Sequence, residues 1–158
     1  LLRLSGKTST SNVVGPGTGF IHCIYGDRGS GKSVRARQYA KEIVGNNKGS
    51  LIVYTTPNSS LTDPFYGPDL ETGHLENLPS AIAIRANYDL AFRFALKQAE
   101  RYRVVLIIDE AHEVWHENFG EDGVSSTIFH RSRHMGLGII AVSQWPSRLD
   151  KRVFRASD

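Results

Sequence analysis

The densest chemistry in this sequence lies at Gly26-Asp27-Arg28-Gly29-Ser30-Gly31-Lys32-Ser33. The spacing Gly-x4-Gly-Lys-Ser suits a loop that cradles a triphosphate. Glycine lets the backbone turn tightly, so that successive N–H groups converge on phosphate oxygens. A helix starting at the lysine adds its positive end to the same place. Lys32 is then set to reach the β- and γ-phosphates, and the Ser33 hydroxyl to bind Mg²⁺. Asp27, Arg28 and Ser30 fill the variable positions and are assigned backbone roles only. The spacing predicts binding of ATP with Mg²⁺.

A second feature is Val104-Val105-Leu106-Ile107-Ile108-Asp109-Glu110, an apolar run that ends in two carboxylates. Beside a phosphate loop, a strand-end aspartate can hold Mg²⁺ through water. The next residue can act as general base on the attacking water. This assigns Asp109 to the metal and Glu110 to the base, and it points to hydrolysis beyond binding.

Two further segments carry polar groups of interest. His112-Glu113-Val114-Trp115-His116 matches H-E-x-x-H, which on a helix would put both histidines on one face toward zinc. Zinc catalysis needs a third ligand and its own cleft. This stretch begins two residues after Glu110, so the expectation is no zinc, with His112 as a neighbour of the γ-phosphate. Further on, Gln144 closes the apolar run Gly138 to Ser143, where its amide could touch the γ-phosphate or its water. Trp145, followed by Pro146, is expected to pack rather than to offer a stacking platform.

These groups need elements to position them. Phe20 to Tyr25 reads as a buried strand entering the phosphate loop. Lys32 to about Gly45 suits a helix that stops at Gly45-Asn46-Asn47. Leu51 to Thr55 and Ala81 to Arg85 read as strands. Pro57 to Pro79 holds four prolines and two glycines and reads as a long surface insertion. Tyr88 to Tyr102 has helical period, with Leu90, Phe94 and either Ala91 or Ala95 on one face. Val104 to Ile108 has the pattern of a strand buried on both faces. Val124 to His134 is a candidate helix and Gly138 to Ser143 a buried strand. Strands alternating with helices predict an α/β fold, a mainly parallel sheet covered on both faces. Leu1 to Gly19, rich in Ser, Thr and Gly, reads as an irregular lead-in to a core over residues 20–158.

The chain has 158 residues, 40% hydrophobic and 22% charged, as expected for one soluble domain. No apolar stretch is long enough to span a bilayer, and Leu1 to Ser11 lack a secretory apolar core. The start at Leu1 reads as a trimmed or disordered edge, and the expected location is cytoplasmic. Cys23 is the single cysteine, which excludes an internal disulfide, and its apolar setting predicts a buried thiol. The net charge of +3 does not by itself demand nucleic acid. Between Arg131 and Arg155, however, Arg131, Arg133, Arg148, Lys151, Arg152 and Arg155 face one acid, Asp150. Such a stretch can be a phosphate-facing surface or a solvated face with one arginine at a subunit boundary.

Taken together, the phosphate loop, Leu-Ile-Ile-Asp-Glu-Ala-His at 106–112 and Arg-His-x-Gly-Leu-Gly-Ile-Ile-x-x-Ser-Gln-x-Pro at 133–146 resemble the FtsK/HerA superfamily of ATPases. The short form is most similar to viral genome-packaging ATPases, with the Zot-type assembly ATPases of filamentous phages as near relatives. The resemblance covers about Ile21 to Asp158, and its third motif is the discriminating one. It implies a RecA-like (ASCE) core that hydrolyses ATP with Mg²⁺ and pumps double-stranded DNA, here into a capsid. Alternatives are virion assembly or export, or a cellular or plasmid DNA pump. The resemblance further implies Lys32, Ser33, Asp109 and Glu110 in the roles given above, with Gln144 as γ-phosphate sensor. It also implies an arginine finger acting on a neighbouring subunit, with Arg133 first and Arg131 second. A homo-oligomeric ring, with a hexamer as the implied form, and a capsid or membrane-protein vertex are the implied partners. The superfamily core continues with at least one more strand past this motif, so sequence beyond Asp158 is expected.

Overall fold

Val104 to Ile108 offers apolar side chains on both faces of a strand, and the fold places this strand deep in a sheet with every one of these residues at most 1% exposed. In the computed structural model, residues 3–5, 19–44, 50–57, 81–85, 87–121 and 123–157 are described. The six strands are β1 (Arg3–Ser5), β2 (Phe20–Tyr25), β3 (Ser50–Thr56), β4 (Ala81–Arg85), β5 (Arg103–Ile108) and β6 (Gly138–Ser143). The helices are α1 (Lys32–Val44), α2 (Tyr88–Gln98), α3 (Val124–Arg131) and α4 (Lys151–Ala156), with 3₁₀ turns at Ala111–Glu113 and Pro146–Arg148.

The strand order is β1-β2-β6-β5-β3-β4. The five strands from β2 to β4 are parallel, and β1 runs antiparallel along β2. Parallel neighbours need crossover connections, so helices cover both faces. The alternation of β5 separates the two layers: Val105 and Ile107 join Ile24, Ile140 and Val142 over α1. Val104, Leu106 and Ile108 join Ile21, Ile139 and Ala141 under α2, α3 and α4. Burying each such side chain contributes about 1.5–3 kcal/mol, which makes the sheet a rigid platform. Cys23 is buried within it, as its apolar setting predicted.

The order places β6 between the strand that enters the phosphate loop and the strand that ends in the two carboxylates. This is the α/β, RecA-like arrangement that the motifs implied.

Several local expectations change. The lead-in contributes the short strand β1. The helix from Tyr88 ends at Gln98, and Phe92 joins Ala91, Phe94 and Ala95 on the buried face while Leu90 is only partly covered. The helix from Val124 ends at Arg131, because the chain must turn back into β6; Leu137 N–H donates to the Ser132 carbonyl at 2.9 Å. Helix α4 has no counterpart among the elements read from the sequence. Trp145, expected to pack, is 48% exposed. The helix stop at Gly45-Asn46-Asn47 lies outside the described residues, as does the loop-rich segment 57–79 apart from Pro57.

Candidate functional site at the ends of three strands

The parallel register fixes what meets at the carboxyl edge of the sheet. Tyr25 pairs with Ser143, so Gly26 and Gln144 leave neighbouring strands side by side. Ile108 pairs with Ala141 on one side and Thr55 on the other, so Asp109 and Glu110 emerge level with Val142 and Ser143, just before Gln144. The phosphate loop, the carboxylate pair and Gln144 therefore converge, although they lie far apart in sequence.

The loop has the shape its glycines allow. Gly29 and Gly31 take φ of +78° and +84°, values that L side chains rarely adopt. An added Cβ at either would meet nothing within 4 Å, so the cradle is open on that side. Ser30 N–H donates to the Asp27 carbonyl at 3.1 Å and Arg35 N–H to the Gly31 carbonyl at 2.9 Å. The N–H groups of Gly29, Gly31, Lys32 and Ser33 have no backbone acceptor among the described residues. Lys32 Nζ folds onto the Asp27 carbonyl at 2.7 Å. Ser30 Oγ is buried without a partner. Backbone donors without a backbone acceptor, a lysine ammonium and an orphaned hydroxyl in one loop fit a polyphosphate.

The carboxylate pair is held by tyrosines. Tyr54 is fully buried and donates to Asp109 Oδ2 at 2.6 Å. Glu110 N–H donates to Asp109 Oδ1 at 3.0 Å. Tyr88, at the start of α2, donates to the Asp109 carbonyl at 2.8 Å and reaches the Glu110 carbonyl at 3.4 Å. Burial, with the nearby Glu110 and Asp109 carboxylates, pushes the Tyr88 phenol far above its ordinary range, so it remains a donor. Glu110 itself adopts a left-handed backbone, φ 50° and ψ 48°. Such a conformation costs about 1–2 kcal/mol in a residue with a Cβ. Strain of this kind collects at functional sites, where the surroundings enforce it. Thr55 Oγ1 is buried without a partner on the adjoining strand end. The Asp109 and Ser33 oxygens are of the hard type that suits Mg²⁺.

A buried link joins the carboxylate turn to the end of β6. His112 Nδ1 and Ser143 Oγ share a hydrogen bond of 2.9 Å, and Trp145 N–H donates to the same Ser143 oxygen at 3.0 Å. His112 is thus occupied inside the fold. His116 is exposed, with Nδ1 3.1 Å from the Glu117 carbonyl. The 3₁₀ turn ends at Glu113 and no helix runs from His112 to His116, so the shared helical face required for zinc is not formed.

Arg131 and Arg133 are not brought to this site. They precede β6, so they lie at the amino edge of the sheet, about 20 Å from the carboxyl edge by strand length. The turn sits against the start of β2: a Cβ on Gly19 would come within 2.4 Å of the Ser132 carbonyl. Arg133 Nη2 donates to the Ala156 carbonyl at the end of α4. Arg131 is exposed, and its side chain makes no hydrogen bond or ion pair among the described residues.

Tyr54, Tyr88, Thr55 and Ser143 carried no readable signal in the sequence. Each becomes a neighbour of the carboxylates only through strand register or helix docking.

The fold has close counterparts among solved structures. The genome packaging NTPase B204 from Sulfolobus turreted icosahedral virus 2 in complex with AMPPCP superposes with TM-score 0.70 at 19% identity, over 93% of this chain and 73% of that one. B204 from Sulfolobus Turreted Icosahedral Virus, described as a DNA-packaging ATPase, gives TM-score 0.67 at 19% identity over 90% and 73%. The N-terminal domain of zonular occludens toxin from Neisseria meningitidis is a looser match, with TM-score 0.47 at 18% identity over 89% and 74%. No curated protein matches the chain. Residues 17–144 match the family described as AAA domain, a span from just before β2 to Gln144 that takes in the whole site, and the chain belongs to that family.

Proposed function

We propose that this chain is the ATP-hydrolysing motor domain of a DNA-translocating machine of the FtsK/HerA type, and that its cargo is a viral genome entering a capsid. The observation that carries the proposal is the meeting of the phosphate loop, Asp109-Glu110 and Gln144 on three adjacent strand ends, with β6 inserted between the other two. The likeness in fold to a protein described as a DNA-packaging ATPase supports the choice of cargo.

In this reading the loop N–H groups and Lys32 bind the ATP phosphates. Ser33 and Asp109 would hold Mg²⁺, which when bound neutralises charge on the phosphate oxygens. Glu110 accepts the proton of the attacking water, and its enforced backbone aims the carboxylate. Gln144 orients that water or reads the γ-phosphate. Tyr54 keeps the Asp109 carboxylate oriented from behind.

An arginine finger from the amino edge cannot serve its own subunit, so the proposal includes a homo-oligomeric ring in which Arg131 or Arg133 completes a neighbour's site. Mixing Lys32→Ala subunits with Arg131→Ala or Arg133→Ala subunits should restore part of the activity for the arginine that acts in trans. Absence of rescue at every ratio for both would remove the finger from the mechanism. The cargo is tested by turnover with and without double-stranded DNA. Several-fold stimulation is expected; indifference to DNA would sink the pump and favour a protein cargo, as in virion assembly.

A further inference from the structure

The basic segment near the C-terminus separates, in three dimensions, into two classes of residue. Arg152 is committed to the fold: its Nε lies 3.0 Å from Asp150 Oδ1, its Nη2 donates to the Phe119 carbonyl at 2.8 Å, and its guanidinium lies 4.2 Å from the Phe119 ring centroid. Arg133 is committed to the end of α4. Arg148, Lys151 and Arg155 are all exposed. Lys151 and Arg155 are four residues apart on α4, the spacing of one helical face, and Arg148 precedes them at the end of the 3₁₀ turn, across the extended Leu149. Asp150, the acid of this segment, is buried against Arg152 and does not offset them. At the head of the row stands Trp145, 48% exposed, with the Arg148 guanidinium 5.2 Å from its ring centroid.

We propose that Trp145, Arg148, Lys151 and Arg155 form the surface that grips a nucleic-acid strand. This deepens the motor reading above and rests on it. Three cations without an exposed acid between them call for a polyanion. The exposed tryptophan, overlain by an arginine, selects nucleic acid over an acidic polypeptide, because a base or sugar face can stack where a carboxylate chain gains nothing. From Lys151 to Arg155 the helix rises about 6 Å, roughly two phosphate steps of one strand. Helix α2 provides a contrast: Arg93, Lys97 and Arg101 are also exposed, but Asp89 and Glu100 are exposed beside them, and no exposed aromatic accompanies them. The surface begins one residue after Gln144. The Trp145 N–H also holds Ser143, the partner of His112 in the turn that follows Glu110. Seating a strand on Trp145 would therefore press on both flanks of the ATP site.

The test uses the protein with labelled single-stranded and duplex oligonucleotides of equal length. The chain has two tryptophans, and Trp115 is fully buried, so quenching of an exposed-tryptophan signal reports on Trp145. Trp145→Ala should weaken binding roughly tenfold, and Trp145→Phe should retain most of it. Arg148→Glu with Lys151→Glu and Arg155→Glu should abolish DNA stimulation, keep DNA-free turnover, and reduce the salt dependence of binding by about two units of log–log slope. Lys97→Glu with Arg101→Glu should change neither. Unchanged oligonucleotide affinity or undiminished stimulation in the triple variant would overturn the assignment. So would binding of poly-glutamate as tight as that of DNA. If wild-type turnover ignores DNA, the motor reading fails by itself; if only the triple variant behaves as wild type, the surface fails and the motor stands.

Discussion

Two carboxylate sites in this molecule behave as opposites. Asp150 is closed. Its Oδ1 accepts from Arg152 N–H at 2.8 Å and Nε at 3.0 Å; its Oδ2 accepts from Asn118 N–H at 2.8 Å and Arg152 Nη2 at 3.1 Å. The Arg152 hydrogen bond holds its carboxyl down at about 2. Asp109 and Glu110 are open. Asp109 has one hydroxyl and one N–H donor, no cation is paired with either group among the described residues, and Glu110 is strained. Complete pairing turns a carboxylate into a structural rivet for α4 and the turn at Asn118. Incomplete pairing on a rigid strand end leaves a carboxylate able to take a metal or a proton. The sheet supplies the rigidity, so the open site can be under-satisfied without collapsing.

The sharpest way to break this contrast is Glu110→Gln. Turnover should fall by about 10²–10⁴ while ATP still binds and the melting temperature stays at or above that of the wild type. Phosphate release, nucleotide binding and thermal melting check it together. Survival of turnover within tenfold would remove Glu110 as base. Asp150→Ala should give the converse. Unpairing Asn118 N–H, Arg152 N–H and the guanidinium should cost about 2–3 kcal/mol in denaturant unfolding, with turnover preserved well below the melting point.

The same residue sets a pH effect. The Asp150 carboxyl is lowered on folding, so its contribution is full above about pH 4 and is lost as pH falls toward about 2. Asp150→Asn should flatten the acid limb of the stability profile across that window. The smallest effect belongs to Tyr88→Phe, which removes the hydroxyl that pins the Asp109 and Glu110 carbonyls. We expect kcat about fivefold lower with nucleotide affinity unchanged. A loss confined to affinity would make Tyr88 part of binding rather than of base positioning.

Some of this architecture could be read directly. The phosphate loop is local: glycine spacing, a lysine and a hydroxyl do their work within eight neighbouring positions, so the chain order contains the geometry. The runs at 20–25, 104–108 and 138–143 are apolar on both faces, and only a covered parallel strand accommodates that. Placement of Asp109 and Glu110 together on one strand end was legible for the same reason.

The exposure of Trp145 and the division of the basic residues were not legible, because a tryptophan or arginine has the same letter whether it stacks, caps or projects into water. Only the docking of α4 against β2 and the Phe119 turn decides that Arg152 is occupied by Asp150 and the Phe119 carbonyl while Arg148, Lys151 and Arg155 face out.

The sequence by itself determined which residues could hold a triphosphate and activate water, since those functions depend on residue type at short range. The tertiary structure decided how they are joined. Strand order placed Gln144, at the end of β6, between the strand ends that carry Gly26 and Asp109, helix α2 delivered Tyr88 to the carboxylate turn, and the length of β6 put Arg131 and Arg133 at the opposite edge of the sheet. Each of these follows from long-range packing, in which one residue of register moves a side chain to the opposite face of the sheet.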